Sequence, residues 1–253
     1  LPEEEKAKEV AATGFYSAIF LCTIMSIIGE WKMDDLMRIL GASETILPYA
    51  RQYARYILLA APIMASSFVL NNLLRSEGHA KFAMIGITTG GILNVILDPI
   101  FIFVFDLGIS GAAIATALSQ LVSFLILLSY FVMHKTTTRL GIHRVSREIG
   151  TYYQIIKNGL PSFSRQGLAS IASILLNKQA AIYGDAAVAA MAIVSKIVAM
   201  VFSVLIGFGQ GYQPVVGFNY GAGILERVKK AMKFTLKVGT IGMTTAVVIL
   251  FLA

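Results

Sequence analysis

Phe82-Ala-Met-Ile-Gly-Ile-Thr-Thr-Gly-Gly-Ile-Leu-Asn94-Val-Ile-Leu-Asp98-Pro99-Ile-Phe-Ile-Phe-Val-Phe105 is an apolar run interrupted by one charged side chain, Asp98. A helix needs about 20 mostly apolar residues to cross a bilayer, so the run reads as a membrane span. A carboxylate in hydrocarbon is costly and persists only beside a partner, a proton or a cation. Asp98 is the one carboxylate set inside a long apolar segment of this chain. It points beyond membrane residence to ion-coupled transport.

The same pattern recurs along the chain. Spans are expected at about 10–29, 54–74, 82–105, 109–133, 155–183, 186–219 and 231–253, an all-α polytopic bundle of seven transmembrane helices. Charged residues make up 14% and apolar residues 57%, with a mean hydropathy of +0.74; soluble domains carry roughly 25% charge. The fifth and sixth spans exceed the minimum and should tilt, kink or project. Short glycine-containing turns at 106–111 and Gly184-Asp185 imply antiparallel neighbours. The lone cysteine, Cys22, excludes an intrachain disulfide and reads as a small packing residue. No histidine falls in a span, and no nucleophile–base pair shares a depth, so the residues do not describe an enzyme.

The net charge of +7 is distributed by topology rather than as a nucleic-acid surface. Lys6, Lys8, Arg75, Lys81, Lys135, Arg139, Arg144, Arg147, Lys157, Arg227, Lys229, Lys230 and Lys233 fall on one side of the expected spans. The other side has the two short turns and the 30–53 loop, where acidic residues offset Lys32, Arg38 and Arg51. Basic loops stay cytoplasmic, which places the N-terminal loop on the cytoplasmic side of a cell (inner or plasma) membrane. Glu5-Lys6-Ala-Lys8 precedes the first span much as Glu226-Arg227-Val-Lys229-Lys230-Ala231 precedes the seventh. A parallel repeat of two lobes accounts for this, as do two ordinary juxtamembrane charge clusters. On the first reading, 1–133 is the C-terminal part of an N-lobe with four helices and 134–154 is a cytoplasmic interlobe loop. Residues 155–253 are then the N-terminal part of a pseudo-symmetric C-lobe with three helices. A charged opening and an apolar close suggest an internal portion of a longer transporter.

At about 1.5 Å rise per residue, Asp98 lies roughly 10 Å in from the outer end of its span. Thr116 lies at a similar depth in the next, antiparallel span, and Asn94 shares a helix face with Asp98. Their hard oxygens suit Na⁺, and the carboxylate alone suits a proton. The alternative is that Asp98 and Asn94 serve interhelical hydrogen bonds. Pro99 removes a backbone donor and should bend the helix. Gln120 extends the polar wall. Arg165, Gln166, Asn177, Lys196 and Gln213 are substrate-cavity candidates, since polar groups inside spans should face a wet cavity or a partner. Arg75 and Glu77 are gating candidates as an ion pair; the alternative is a solvated helix end closed by Gly78. Ten Met and fifteen Phe suit either a greasy cavity or ordinary core and lipid contact. Gly207-Phe-Gly209-Gln-Gly211 is not expected to hold phosphate, because no strand precedes it.

Four stretches together resemble one family. They are Asn71-Asn72-Leu-Leu-Arg75-Ser-Glu-Gly78, Asn94-Val-Ile-Leu-Asp98-Pro99, Gly111-Ala-Ala-Ile-Ala-Thr116 and Gly209-Gln-Gly-Tyr-Gln213-Pro214-Val-Val-Gly-Phe-Asn219-Tyr-Gly221-Ala. Their order and spacing are similar to those of the multidrug and toxic compound extrusion (MATE) transporters. That resemblance implies a twelve-helix protein in two six-helix lobes, of which this chain looks like helices three to nine. It implies secondary active export of lipophilic, often cationic drugs or toxins in exchange for H⁺ or Na⁺ by alternating access, with no cofactor and a monomer at full length. The family's Asn-x-x-x-Asp cation site falls on Asn94 and Asp98, and a helix-six threonine on Thr116. The family's C-lobe acid has no match in Ser164-Arg165-Gln166. A flippase for lipid-linked oligosaccharides of the same superfamily is the alternative, favoured by Arg165 and Lys196. A non-transporting seven-span receptor is a further class, disfavoured by the charge pattern and the repeat.

Overall fold

The computed structural model describes residues 2–133 and 135–252, and among them it is helical without strands. The long helices are α1 (Pro2–Trp31), α3 (Leu47–Ser76), α4 (Ala80–Pro99), α5 (Gly108–Val132), α6 (Ile149–Ala181), α7 (Asp185–Gly221) and α8 (Leu225–Leu252). A short α2 (Met33–Ile39) lies in the stretch read from sequence as a loop. Among the described residues, five helical stretches are long and apolar enough to cross a membrane: Glu5–Trp31, Leu47–Ser76, Ala80–Val104, Gly108–Val132 and Asp185–Gly221. The remaining two expected spans are helical but more polar. Lys157, Arg165 and Lys178 interrupt α6, and five basic residues between Arg227 and Lys237 punctuate α8.

Two compact units are present, Leu1–Gln179 and Ala180–Ala253. In the first, α1, α3, α4 and α5 pack into a bundle sealed at both ends. At the end carrying most of the basic residues, Phe15, Leu70, Leu74, Ala83, Leu127, Tyr130 and Phe131 form a buried cluster. At the other end Met33 and Met37 of α2 close over Leu47. There Arg51 pairs with Asp34 at 2.5 Å and Arg55 with Glu30 at 2.9 Å. Exposed pairs of this kind contribute little individually, so the methionine contacts carry most of that closure. In the second unit α7 and α8 lie against each other, with Phe208 and Phe234 ring centroids 6.3 Å apart.

Gly78 ends α3 in the left-handed region at φ 84°, and His79 N–H reaches back to the Leu74 carbonyl at 2.8 Å. This glycine-terminated closure aims the next residues toward α4. It also leaves the Glu77 carboxylate free to hold the segment that follows α5. Glu77 accepts from Thr137 N–H and Thr138 N–H, each at 3.0 Å, and from the Thr137 hydroxyl at 3.3 Å. Farther along, Tyr16 donates to the Leu140 carbonyl at 3.2 Å, and Ser146 N–H donates to Thr13 Oγ1 at 2.9 Å. Arg144 pairs with Glu5 at 2.5 Å. The polar segment between α5 and α6 is thus stitched to α1 and α3.

Charge-assisted bonds of this type contribute roughly 1.5–3 kcal/mol each. Glu77→Ala should therefore raise hydrogen exchange at the Thr137 and Thr138 amides by about tenfold or more. Unchanged exchange there would show that Glu77 does not hold the segment.

Candidate functional site

Gly86, Gly90, Asn94 and Asp98 recur every four residues on α4 and so share a face. That face meets α5 at close range. A Cβ added at Gly86 would lie 2.5 Å from Leu127 Cδ2, and one at Gly90 would lie 2.9 Å from Ser123 Cβ. At Gly90, where the Ser119 carbonyl oxygen also lies 3.1 Å away, a side chain would push the helices apart, and the close approach lets short polar side chains one and two turns farther along reach across.

Asn94 Nδ2 donates to Asp98 Oδ1 at 3.1 Å and lies 3.3 Å from Thr116 Oγ1. Thr116 spends its own proton on the Ala112 carbonyl at 2.9 Å, so its oxygen presents lone pairs toward Asn94. All three side chains are half-buried. The Asp98 carboxylate and the Thr116 hydroxyl oxygen therefore meet on the Asn94 amide NH2 between two antiparallel helices, and these two oxygens suit a hard monovalent cation, the carboxylate alone a shuttled proton.

Beyond Asp98-Pro99 the chain widens into a π-helical turn, Ile100–Val104. Proline has no N–H to continue the α ladder, and single π turns commonly mark functional sites. The first turn of α5 presses on this turn. A Cβ on Gly111 would lie 2.5 Å from the Phe101 carbonyl oxygen and 2.7 Å from its carbon. Gly111 thus sets how close Thr116 stands to Asp98. Pro99 signalled a bend in the sequence, whereas nothing there marked the π turn or the contact it makes.

The other sequence candidates lie outside this cluster. Gln120 is half-buried one turn from Thr116, and Asn177 is half-buried on α6; neither hydrogen-bonds to the cluster. Arg165 and Gln166 are exposed on α6, and Lys196 and Gln213 are exposed on α7 in the second unit. Arg75 and Glu77 are half-buried, with Glu77 engaged by Thr137 and Thr138. The Gly207–Gly211 stretch lies within α7 as continuous helix. Sequence reading missed an apolar groove of about 420 Å³ between α3 and α5, lined by Tyr56, Ala60, Ile63, Ile114, Ala117 and Leu121 among others. Ala117 neighbours Thr116, so groove and polar cluster share a depth on α5.

Comparison with known proteins adds the wider context. The family model MatE matches residues 3–100 and 161–253. The multidrug export protein MepA of Staphylococcus aureus (strain bovine RF122 / ET3-1) is 30% identical over 235 residues, covering 92% of this chain and 52% of that protein. MepA of Staphylococcus saprophyticus is 29% identical over 248 residues, covering 97% and 54%. The chain thus spans about half the length of the curated relatives it matches. A solved MOP superfamily transporter from Pyrococcus furiosus superposes with a TM-score of 0.87 at 30% identity, over 99% of this chain and 56% of that one. An outward-facing multidrug resistance MATE family transporter of the MOP superfamily gives 0.85 at 30% identity, over 99% and 56%.

Overpacking a tight contact costs about 1–3 kcal/mol. Gly111→Ala should lower the Tm measurably, whereas Gly91→Ala, where an added Cβ meets nothing within 4 Å, should not. Equal Tm values for the two variants would contradict the close contact at Phe101.

Proposed function

The chain belongs to the MatE family of transporters, and we propose that it forms part of a secondary active exporter of lipophilic, often cationic compounds, driven by H⁺ or Na⁺. The observation that supports this is the Asn94–Asp98–Thr116 cluster, the one carboxylate of α4 and α5 with two neutral polar partners. In this reading Asp98 takes up the coupling cation or proton, Asn94 orients the carboxylate, and Thr116 supplies a further oxygen. The α3–α5 groove offers aromatic and aliphatic surface to a lipophilic compound, and Tyr56 offers a ring face to a cationic one. Binding of ion and substrate near one another lets each bias the alternating access of two lobes, 1–133 and 155–253, joined by the loop 134–154. All seven helices span the plasma membrane in this reading, with the basic end cytoplasmic and the full-length protein monomeric.

A flippase reading rests on Arg165 and Lys196, cations on helices otherwise rich in apolar residues. The Pyrococcus furiosus neighbour is described as having a binding pocket of reverse polarity that suggests a different function. For this chain the carboxylate cluster favours the antiporter.

Efflux of a fluorescent lipophilic cation from vesicles carrying the transporter that contains this chain tests the proposal. Asp98→Asn should abolish gradient-coupled efflux at normal membrane expression; coupled efflux at the parent rate would remove Asp98 from the mechanism. Collapsing the Na⁺ and proton gradients separately identifies the ion. Thr116→Val should weaken the apparent affinity for that ion roughly tenfold, the loss expected for one charge-linked contact.

A further inference from the structure

The backbone around Arg139 is held in place, yet its side chain has no partner among the described residues. It is exposed, and no hydrogen bond or ion pair joins its guanidinium to any described residue. Its cationic neighbours are engaged: Arg144 and Lys8 both pair with Glu5, and Lys135 sits 5.9 Å from the Tyr130 ring centre. The backbone on either side of Arg139 is pinned. Thr138, buried, donates its N–H to Glu77 and accepts at its carbonyl from the Thr136 hydroxyl at 2.8 Å. Leu140 packs on the buried cluster and accepts from Tyr16. The backbone that carries this long cation is therefore fixed.

Arg139 lines a groove. Leu128, Phe131, Val132, Arg139, Leu140 and Gly141 enclose about 400 Å³ against the last turns of α5. Phe131 is buried and gives the groove a firm floor, while Val132 is 65% exposed at its open side. The apolar wall belongs to a helix long and apolar enough to cross the membrane, and Arg139 stands just past its end. In a membrane protein that level is where hydrocarbon gives way to headgroups.

We propose that this groove binds an anionic phospholipid, with an acyl chain along Leu128 and Val132 and the headgroup phosphate on Arg139. Charge complementarity selects the occupant. A guanidinium presents a planar fork that matches a phosphate in two bonds. Basic pockets at the ends of transmembrane helices take anionic headgroups. The apolar wall distinguishes a lipid from a soluble anion, which has no use for Val132. A zwitterionic lipid carries its own cation beside the phosphate and gains less.

The test uses the transporter containing this chain in phosphatidylcholine nanodiscs, with trace spin-labelled phosphatidylglycerol or spin-labelled phosphatidylcholine, and reads the immobilised fraction of each label. The parent should prefer phosphatidylglycerol. Arg139→Gln should reduce that preference about tenfold, as loss of a charge-assisted pair implies. Arg139→Lys should keep part of it, and Val132→Trp, which fills the open side, should remove it. Lys229→Gln, an exposed cation on α8, should change nothing. Because Arg139 and Val132 are both exposed, folding should survive either change, and retained helicity checks this. Equal retention of the two lipids by the parent overturns the proposal. So does an equal loss with Lys229→Gln, which would mean bulk charge alone. Displacement by inorganic phosphate together with indifference to Val132→Trp would assign Arg139 to a soluble anion and overturn the lipid.

Discussion

The near-contact of the α4 and α5 backbones governs the rest of the first unit. Two glycines on α4 and one on α5 remove the side chains that would hold the helices apart. In a membrane, where apolar surfaces gain little by hiding from lipid, packing distance and interhelical hydrogen bonds decide which helices associate. Here both act along one seam. Leu127 and Ser123 fill the glycine notches near one end, and Asn94 bridges to Thr116 farther along. A carboxylate that would be intolerable facing lipid is thereby held between helices, with partners and partial solvent access.

Much of this was readable before the fold was known, because the membrane imposes simple rules. The length of an apolar run, the alternation of basic loops and the spacing from Asn94 to Asp98 all follow from helix geometry and the cost of charge in hydrocarbon. Thr116 could be matched to Asp98 because a tight turn fixes the relative depth of antiparallel neighbours. Other features had no such rule. Widening of the helix after Pro99 depends on what α5 presents at Gly111. The role of Glu77 depends on a partner some 60 residues away, and an Arg-x-Glu at a helix end invites a local ion-pair reading instead. The helix α2 was hidden because its seven residues are too few for periodicity to register against a charged background.

That Arg165, Gln166, Lys196 and Gln213 lie outside the cluster has a related cause. Hydropathy marks a polar side chain inside an apolar stretch as notable, but it does not say which direction that side chain faces. Asn94 and Asp98 were placed correctly together because they lie on one helix face and the neighbouring helix was fixed by a short turn. The short turn at Gly184-Asp185 joins α6 and α7, but these four residues lie at unequal distances along the chain from it, so it does not match them in depth.

A connector that has been fastened down cannot supply slack. Thr137, Thr138, Leu140, Arg144 and Ser146 are all tied to α1 or α3, and the ties continue into α6, where Thr151 accepts from the Ser146 hydroxyl and Tyr152 donates to the Ser146 carbonyl. Within this unit, flexibility must then lie past Tyr152, inside a helix rather than in a loop. The first weak point beyond it is Gly159-Leu-Pro161, where one residue lacks a side chain to stiffen the backbone and another lacks the amide that would close the turn. The strap ahead of that helix is a bracket, and what give the first unit has there lies in the beam that follows.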